Sequence, residues 1–137
     1  MTTSRPFSQA LDCLRTVGLR PTRQRLGLAR LLFDGRDRHL TAEQLHSEAL
    51  NADLRVSLAT VYNALHQFTE VGLLREIVVE PGRSYFDTNT SDHHHFFYQD
   101  SGRLEDIPGD QVQVARLPDA PPGTTIASVE VIVRLAG

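Results

Sequence analysis

The chain has 137 residues, of which 40% are hydrophobic and 23% charged, and its formal net charge is −3 at pH 7. This length suffices for one ordinary domain or two very small ones. No apolar run approaches the roughly 20 residues that cross a bilayer. The opening segment lacks the basic and apolar parts of a signal peptide, so we expect a cytoplasmic protein with no membrane partner. The single cysteine, Cys13, excludes an internal disulfide and a multi-cysteine zinc clamp.

Charge is distributed unevenly along the chain. Residues 1–75 carry a net charge of +3, whereas residues 76–137 carry −6. This asymmetry favours a front half that faces DNA and an acidic rear half. All 14 basic residues are arginines, which genome composition explains as well as function does.

Three helices are predicted in the front part of the chain. Apolar residues recur at helical spacing over residues 7–17, and a glycine follows as a natural stop. A second helix is expected to begin near Thr22. A third begins where Thr41 and Gln44 have the spacing of a capping box. His39 is assigned to the loop before this third helix.

A fourth helix and a β-hairpin follow. Ser57 is placed to cap a helix over residues 58–71. Residues 73–79 and 83–87 have the composition of strands, and Pro81-Gly82 between them is a turn signal. Helices followed by a hairpin are typical of the winged version of the helix-turn-helix.

The rear third has the pattern of a small β-rich unit. Strands are predicted at residues 93–98 and 103–107, around a Ser-Gly turn. One helical turn is expected near residues 112–116. Residues 125–135 alternate apolar and polar side chains, which predicts a further strand, placed at the centre of the sheet.

These patterns predict an α+β fold of two domains. Residues 1–90 are expected to form a winged-helix DNA-binding domain, and residues 91–137 a small α/β domain for dimerisation. Some 45 residues cannot easily bury a core alone, so we expect a homodimer formed through residues 92–137. The C-terminal strand supplies apolar surface for it, from Val129, Val131, Ile132 and Val133.

The fourth helix presents a neutral polar face. Hydroxyl groups bind phosphates, whereas asparagine and glutamine pair with adenine through two hydrogen bonds. No acidic residue lies between Asp53 and Glu70, whereas an ordinary solvated helix usually carries charge. The pattern favours DNA reading. The candidate DNA-binding residues here are Ser57, Thr60, Tyr62, Asn63 and His66.

Arginines surround the start of the second helix. Arg20, Arg23 and Arg25 lie where backbone N–H groups also point, and guanidinium groups suit phosphate oxygens. They are therefore further candidates for DNA binding. The alternative is a solvated run of charge.

The stretch His93-His94-His95 is the most unusual in the chain. On a strand, alternate residues share a face, so His93 and His95 point one way and His94 the other. Two such imidazoles can chelate one metal ion, and neutral imidazole also binds haem iron. Asp87 could add an oxygen ligand. The alternative is an exposed, pH-sensitive loop.

Together these segments resemble the ferric uptake regulator family over almost the whole chain. Asn63 after Tyr62, the histidine triplet and residues 104–108 (LEDIP) look like its iron response regulator branch. The segments that carry the family resemblance are Gly18–Arg25 (GLRPTRQR), His39–Glu43 (HLTAE), Leu58–Tyr62 (LATVY), Leu65, Gln67-Phe68, Gly72-Leu73 and the histidine-rich strand.

The resemblance implies a homodimer that binds operator DNA and represses or activates genes of iron and haem metabolism. It also implies that residues 91–137 sense a metal or haem in addition to forming the dimer. The family's inter-domain site for a divalent ion (Fe, Mn or Zn) falls on His39, Asp87, His93 and His95. In the iron response regulator branch the effector can be haem, bound here through His93, His94 and His95, and haem weakens DNA binding. A ligand held by both domains would set the angle between them.

The chain departs from the family pattern at three places. The first cysteine pair of the frequent structural zinc site falls on Tyr98 and Ser101, so that site is not expected. A second family site would use the position of Asp92 and a later histidine, but residues 96–137 contain none. The short haem motif of some members needs Cys-Pro, whereas Cys13 precedes a leucine.

Two other functions stay open. One is a regulator of the same family that responds to Zn, Mn or peroxide without haem. The other is a metal-using protein that does not bind DNA, either a carrier or an enzyme built on the histidine cluster. An enzyme would need an open metal position and a placed acid or base. No nucleophile or substrate pocket is evident in the sequence, so we expect no enzyme.

Overall fold

The structure is a computed structural model that describes residues 5–137, with side chains described from residue 8 onward. The first four residues, on which the signal-peptide expectation partly rests, and the side chain of Phe7, predicted to begin the first helix's apolar stripe, lie outside the described part. The chain divides into two units, Met1–Thr90 and Ser91–Gly137. What each unit does stays a prediction.

Four helices and a three-stranded sheet make up the first unit. Side-chain caps begin three of the helices, because Thr22, Thr41 and Ser57 each accept a hydrogen bond from the backbone three residues on. The predicted capping box is confirmed at Thr41 and Gln44. The elements are α1 (Arg5–Thr16), α2 (Arg23–Leu32), β1 (His39–Leu40), α3 (Ala42–Asn51), α4 (Leu58–Glu70), β2 (Arg75–Glu80) and β3 (Arg83–Asp87).

The sheet of this unit corrects the placement of His39. The predicted hairpin is confirmed as β2 and β3, but His39 lies in β1 rather than in a loop. β1 pairs antiparallel with β3, which places His39 opposite Asp87. The backbone N–H of Thr88 donates to the backbone oxygen of Arg38 and continues this pairing. This two-residue strand forms because β3 provides a hydrogen-bonding partner. Two residues in the sequence cannot indicate that such a partner lies beside them.

The core of the first unit lies where the helices meet. Phe68 of α4 is fully buried and packs against the ring of Phe33 at 6.0 Å between centroids. Each helix contributes its apolar stripe, so α4 is held with its opposite face outward. The fully buried core residues include Ala10, Leu14, Leu28, Ala29, Leu32, Leu45, Ala49, Val61 and Leu65.

The second unit contains a three-stranded sheet with β4 (His94–Tyr98) at its centre. β5 (Leu104–Ile107) pairs with it antiparallel on one side, and β6 (Ile132–Leu135) pairs with it parallel on the other. The predicted α+β class is thus confirmed, with four helices and two small sheets in the described residues. Among the described residues, every helix is too short or too polar to span a membrane.

Two predictions for the rear of the chain are wrong. The last strand is four residues long, and it lies at an edge because β4 is the only strand with which it pairs in the described sheet. The helical turn at 112–116 is absent from the described structure. A short 3₁₀ helix, Gly109–Gln111, occurs just before it and ends because Val112 is extended, as its β-branched side chain favours.

Candidate DNA-facing surface and metal centre

Helix α4 turns its predicted reading face to solvent. Tyr62, Asn63 and His66 are exposed, whereas Ala64 and Leu65 between them are buried. Ser57 and Thr60 lie at the start of the helix. The Ser57 hydroxyl accepts the backbone N–H of Thr60 at 3.1 Å and donates to the Thr60 hydroxyl at 2.9 Å. Ser57 therefore caps the start of α4.

The start of α2 and the exposed face of α4 line one groove of about 430 Å³. Two groups of residues that the sequence singled out separately thus become neighbours. Hydroxyl, amide and guanidinium groups converge in this groove. Such groups bind phosphates and base edges. Lining this α2–α4 groove are Arg20, Thr22, Gln24, Arg25, Thr60, Asn63, Ala64 and Gln67.

Arg25 joins the two helices of this groove. Its Nε and Nη2 donate to Oε1 of Gln67 at 3.2 and 3.1 Å, and its Nη1 donates to the backbone oxygen of Arg20 at 2.9 Å. The guanidinium is half-buried and its donors are largely engaged. Arg25 therefore positions α4 against α2, whereas Arg20 and Arg23 are exposed and sterically available to phosphates.

A carboxylate that sequence reasoning missed lies beside Tyr62. The Tyr62 hydroxyl donates to Oε2 of Glu43, in the first turn of α3, at 2.9 Å. This hydrogen bond, and then desolvation, raises the pKa of the Tyr62 phenol. The absence of acids between Asp53 and Glu70 gave no warning, because Glu43 reaches this face from 19 residues away.

The histidine triplet is arranged on β4 and beside it as strand geometry predicts. His93 and His95 are buried, whereas His94 between them is half-buried on the other face. Nδ1 of His94 accepts the backbone N–H of Val131 at 3.0 Å. His94 thus supports the pairing with the C-terminal strand, and its two neighbours share a site.

Asp106 completes a cluster with these two histidines. One of its carboxylate oxygens lies 3.5 Å from Nε2 of His93 and 3.3 Å from Nε2 of His95. The imidazole rings are 4.5 Å apart between centroids. Glu130 adds a second carboxylate, 3.7 Å from Nδ1 of His95. Two imidazole nitrogens and a carboxylate oxygen within 4.8 Å of one another match the ligands of Zn, Fe or Mn.

Strand register explains why Asp106 was not predicted as a ligand. It lies on β5 directly opposite His95 on β4, so the two side chains are cross-strand neighbours. The sequence segment LEDIP was noticed for its resemblance, but without the register it assigns no role to the aspartate. Asp92, the position considered for a second site, is exposed.

His39 and Asp87, the other two predicted ligands, belong to the first unit. They are opposite each other on β1 and β3. Asp87 is buried, and its carboxylate accepts the backbone N–H of Asn89 at 2.9 Å. The imidazole of His39 lies edge-on to the ring of Tyr85. That all four predicted ligands hold one ion stays a prediction.

Comparison with known proteins identifies the chain's relatives. A model described as the ferric uptake regulator family matches residues 16–133. The chain belongs to this family. Members of the ferric uptake regulator family are metal-responsive transcription regulators rather than enzymes, so the expectation of no enzyme agrees with membership.

Individual members of the ferric uptake regulator family support the assignment. A ferric uptake regulation protein of Cupriavidus metallidurans is 37% identical over 95 residues, covering 69% of this chain and 66% of that protein. The peroxide-responsive repressor PerR of Staphylococcus aureus is 32% identical over 74% of this chain and 68% of its own length. The matches therefore span about two thirds of these relatives.

A solved structure of the family shares the fold. The ferric uptake regulator from Pseudomonas aeruginosa, determined with manganese, has a TM-score of 0.73 and 23% identity over 93% of this chain and 97% of that one. This likeness confirms the predicted α+β fold.

Arg103 and Glu105 pack around Tyr98, the position on which the family resemblance places the first cysteine of a structural zinc site. The Arg103 guanidinium lies 4.3 Å from the centre of the Tyr98 ring and donates to Oε1 of Glu105 at 2.9 Å. The Tyr98 hydroxyl donates to the same oxygen at 3.1 Å. The hydrogen bond between Tyr98 and Glu105 joins β4 to β5. Burial raises the pKa of the Cys13 thiol, which disfavours the thiolate that binds metals.

Proposed function

We propose that this chain is a homodimeric transcription regulator that binds operator DNA in response to iron or haem. The main support for the proposal is the cluster of His93, His95 and Asp106. The other unit of this ferric uptake regulator exposes the polar face of α4. Ligand binding at buried histidines changes charge and packing locally, which is how a small ligand biases a larger conformational equilibrium.

A divalent ion is the first ligand of this proposal. Neutral imidazoles with a carboxylate suit Fe, Mn and Zn alike. His39 and Asp87 would complete the ligand set from the first unit, as the family resemblance implies. An ion that recruits ligands from both halves of the chain would brace the DNA-binding unit against the dimer and so set its DNA affinity.

Haem is the second ligand of the proposal, acting through His93, His94 and His95. Imidazole is an axial ligand of haem iron. His94 is half-buried on the face opposite to its neighbours, so haem bound there would compete with β-sheet pairing at Val131, whereas haem on His93 or His95 would compete with the metal ion. Either mode would weaken DNA binding, as the branch resemblance implies.

Homodimer formation belongs to the same proposal. The second unit has 47 residues and leaves large apolar side chains exposed, which a partner copy would cover. These side chains are Val114, Leu117, Ile126 and Val133. A two-fold dimer would present two α4 helices to a palindromic operator.

Response to Mn, Zn or peroxide without haem is the second candidate function. It is favoured by the similarity to PerR, a peroxide-responsive repressor, and by a ligand set that suits several metals. Selection of DNA sites from a random duplex pool, with Mn(II), with haem and with neither, distinguishes the candidates. The leading proposal expects a defined site whose binding haem weakens. A defined site indifferent to haem would favour the second candidate, and no selected site would contradict both.

Two substitutions on α4 test its role in reading DNA. We expect Tyr62→Ala to weaken specific and random DNA alike, because a phosphate contact is independent of sequence. Asn63→Ala should instead relax the preference at one base, costing about 1–3 kcal/mol if the amide reads adenine. Binding constants for selected and random duplexes measure both effects. Unchanged affinity and unchanged selected sites in both variants would remove α4 from the interface.

A further inference from the structure

We propose that Glu43 is a residue that sets DNA affinity by holding the Tyr62 hydroxyl away from DNA. The inference rests on the proposed function, since it concerns the surface through which α4 reads DNA. It assigns a role to an acid on α3, a helix outside the predicted reading face.

The geometry places a negative charge on the DNA-facing surface. Tyr62 is 36% exposed and Glu43 is exposed, and their hydrogen bond of 2.9 Å joins the first turn of α3 to α4. A phenol has one hydrogen to donate. A phosphate oxygen only accepts, so Tyr62 cannot donate to Glu43 and to phosphate at once. Binding a phosphate through Tyr62 therefore requires release from Glu43.

The Tyr62 ring also lies beside His66, one turn further along α4. The Tyr62 and His66 rings are 6.2 Å apart between centroids, and His66 lies 5.8 Å from the ring of Phe86. Phe86 is buried on β3, immediately before Asp87. The contacts that fix Tyr62 thus continue to the strand that carries a predicted metal ligand.

Glu43 is connected to the same pair of strands. It belongs to the helix that Thr41 caps, and Thr41 directly follows β1, the strand of His39. β1 and β3 are hydrogen-bonded with His39 opposite Asp87. A shift of this strand pair would move Glu43 and Phe86 together, and would change how firmly Tyr62 is retained. Glu43 is thus a positioning residue through which the first unit adjusts DNA affinity.

A double-mutant cycle on the full chain tests the inference. The probes are a duplex selected by the wild-type chain and a random duplex of equal length. We expect Glu43→Ala to tighten binding of the selected duplex about threefold to tenfold, the worth of one released hydrogen bond. In the Tyr62→Phe background the same change should alter binding less than about twofold, because no bond remains to release. Glu70→Ala, which removes an exposed acid from the end of α4, is the matched control for charge.

Phenol titration by ultraviolet absorbance provides a measurement without DNA. Glu43→Ala, which removes the acceptor of the phenol O–H, should lower the pKa of Tyr62 towards its ordinary value, and Glu70→Ala should not. Tyr62→Phe identifies the phenol concerned among the three tyrosines.

Several outcomes would overturn the role of Glu43. They are unchanged or weaker DNA binding by Glu43→Ala, equal tightening in the Tyr62→Phe background, and equal tightening by Glu70→Ala. An unchanged phenol pKa in Glu43→Ala would show that the hydrogen bond itself is absent. A wild-type chain that selects no DNA would contradict the proposed function itself, and this result is obtained before any Glu43 variant is compared.

Discussion

Replacing His93 and His95 together by alanine is expected to lower the affinity for Mn(II) or Zn(II) by at least about 100-fold. Groups that merely orient a ligand are worth 10- to 100-fold, and this variant removes two ligands outright. The double variant would keep the exposed carboxylate of Asp106 but would lose both imidazoles that face it. Isothermal titration with each metal, after removal of any ion that co-purifies, measures the loss.

His94→Ala is the matched control for the double variant. It removes an imidazole of the same triplet, but from the opposite face of β4, where the side chain accepts a hydrogen bond from Val131. We expect a metal affinity within about tenfold of the wild type, since only strand pairing is disturbed. The double variant should remain folded by circular dichroism. Full metal occupancy in it, with a normal haem response, would contradict the assignment of His93 and His95 as ligands.

Phe97→Ala is expected to reduce the free energy of unfolding of the second unit by about 3–5 kcal/mol. Phe97 is fully buried on the central strand, on the same side as His93 and His95. A unit of 47 residues has little stability to lose, so we expect it to unfold and to lose metal binding with it. Urea denaturation followed by circular dichroism measures the change.

Phe96→Ala provides the matched control for Phe97→Ala. The two phenylalanines are adjacent on β4, but Phe96 is only half-buried on the opposite face. Phe96→Ala should reduce the free energy of unfolding by less than half as much as Phe97→Ala, because a partly exposed ring buries less apolar surface. Equal destabilisation by the two substitutions would contradict the assignment of the buried face. The double histidine variant should differ from Phe97→Ala, because it should lose metal binding while the second unit remains folded.

Local signals made most of the first unit predictable. Thr22, Thr41 and Ser57 marked the helix starts, because capping depends on residues only three positions apart. The turn Pro81-Gly82 placed the hairpin for the same reason. Alternation along the histidine triplet assigned each imidazole to the correct face of the strand.

Features that depend on distant partners were missed. His39 lies in a strand only because β3 pairs with it, and Asp106 joins the histidines only because β5 places it opposite His95. Glu43 reaches Tyr62 through the packing of α3 on α4. The last strand was predicted too long, because its alternation continues beyond the partners that β4 offers. Periodicity records which face a residue would occupy, but not whether a neighbouring strand is there.

The central claim is that ligand binding at the histidine cluster controls DNA binding. The most direct test measures the dissociation constant of one selected duplex across a Mn(II) titration, in the wild-type chain and in the chain carrying His93→Ala and His95→Ala. Salt is held fixed, because phosphate contacts make affinity steeply salt-dependent. We expect metal to change the wild-type affinity by about 5- to 150-fold, the usual range of coupling between two sites, and to leave the variant unchanged. An equal response of the two chains, or no response in the wild type, would contradict the claim.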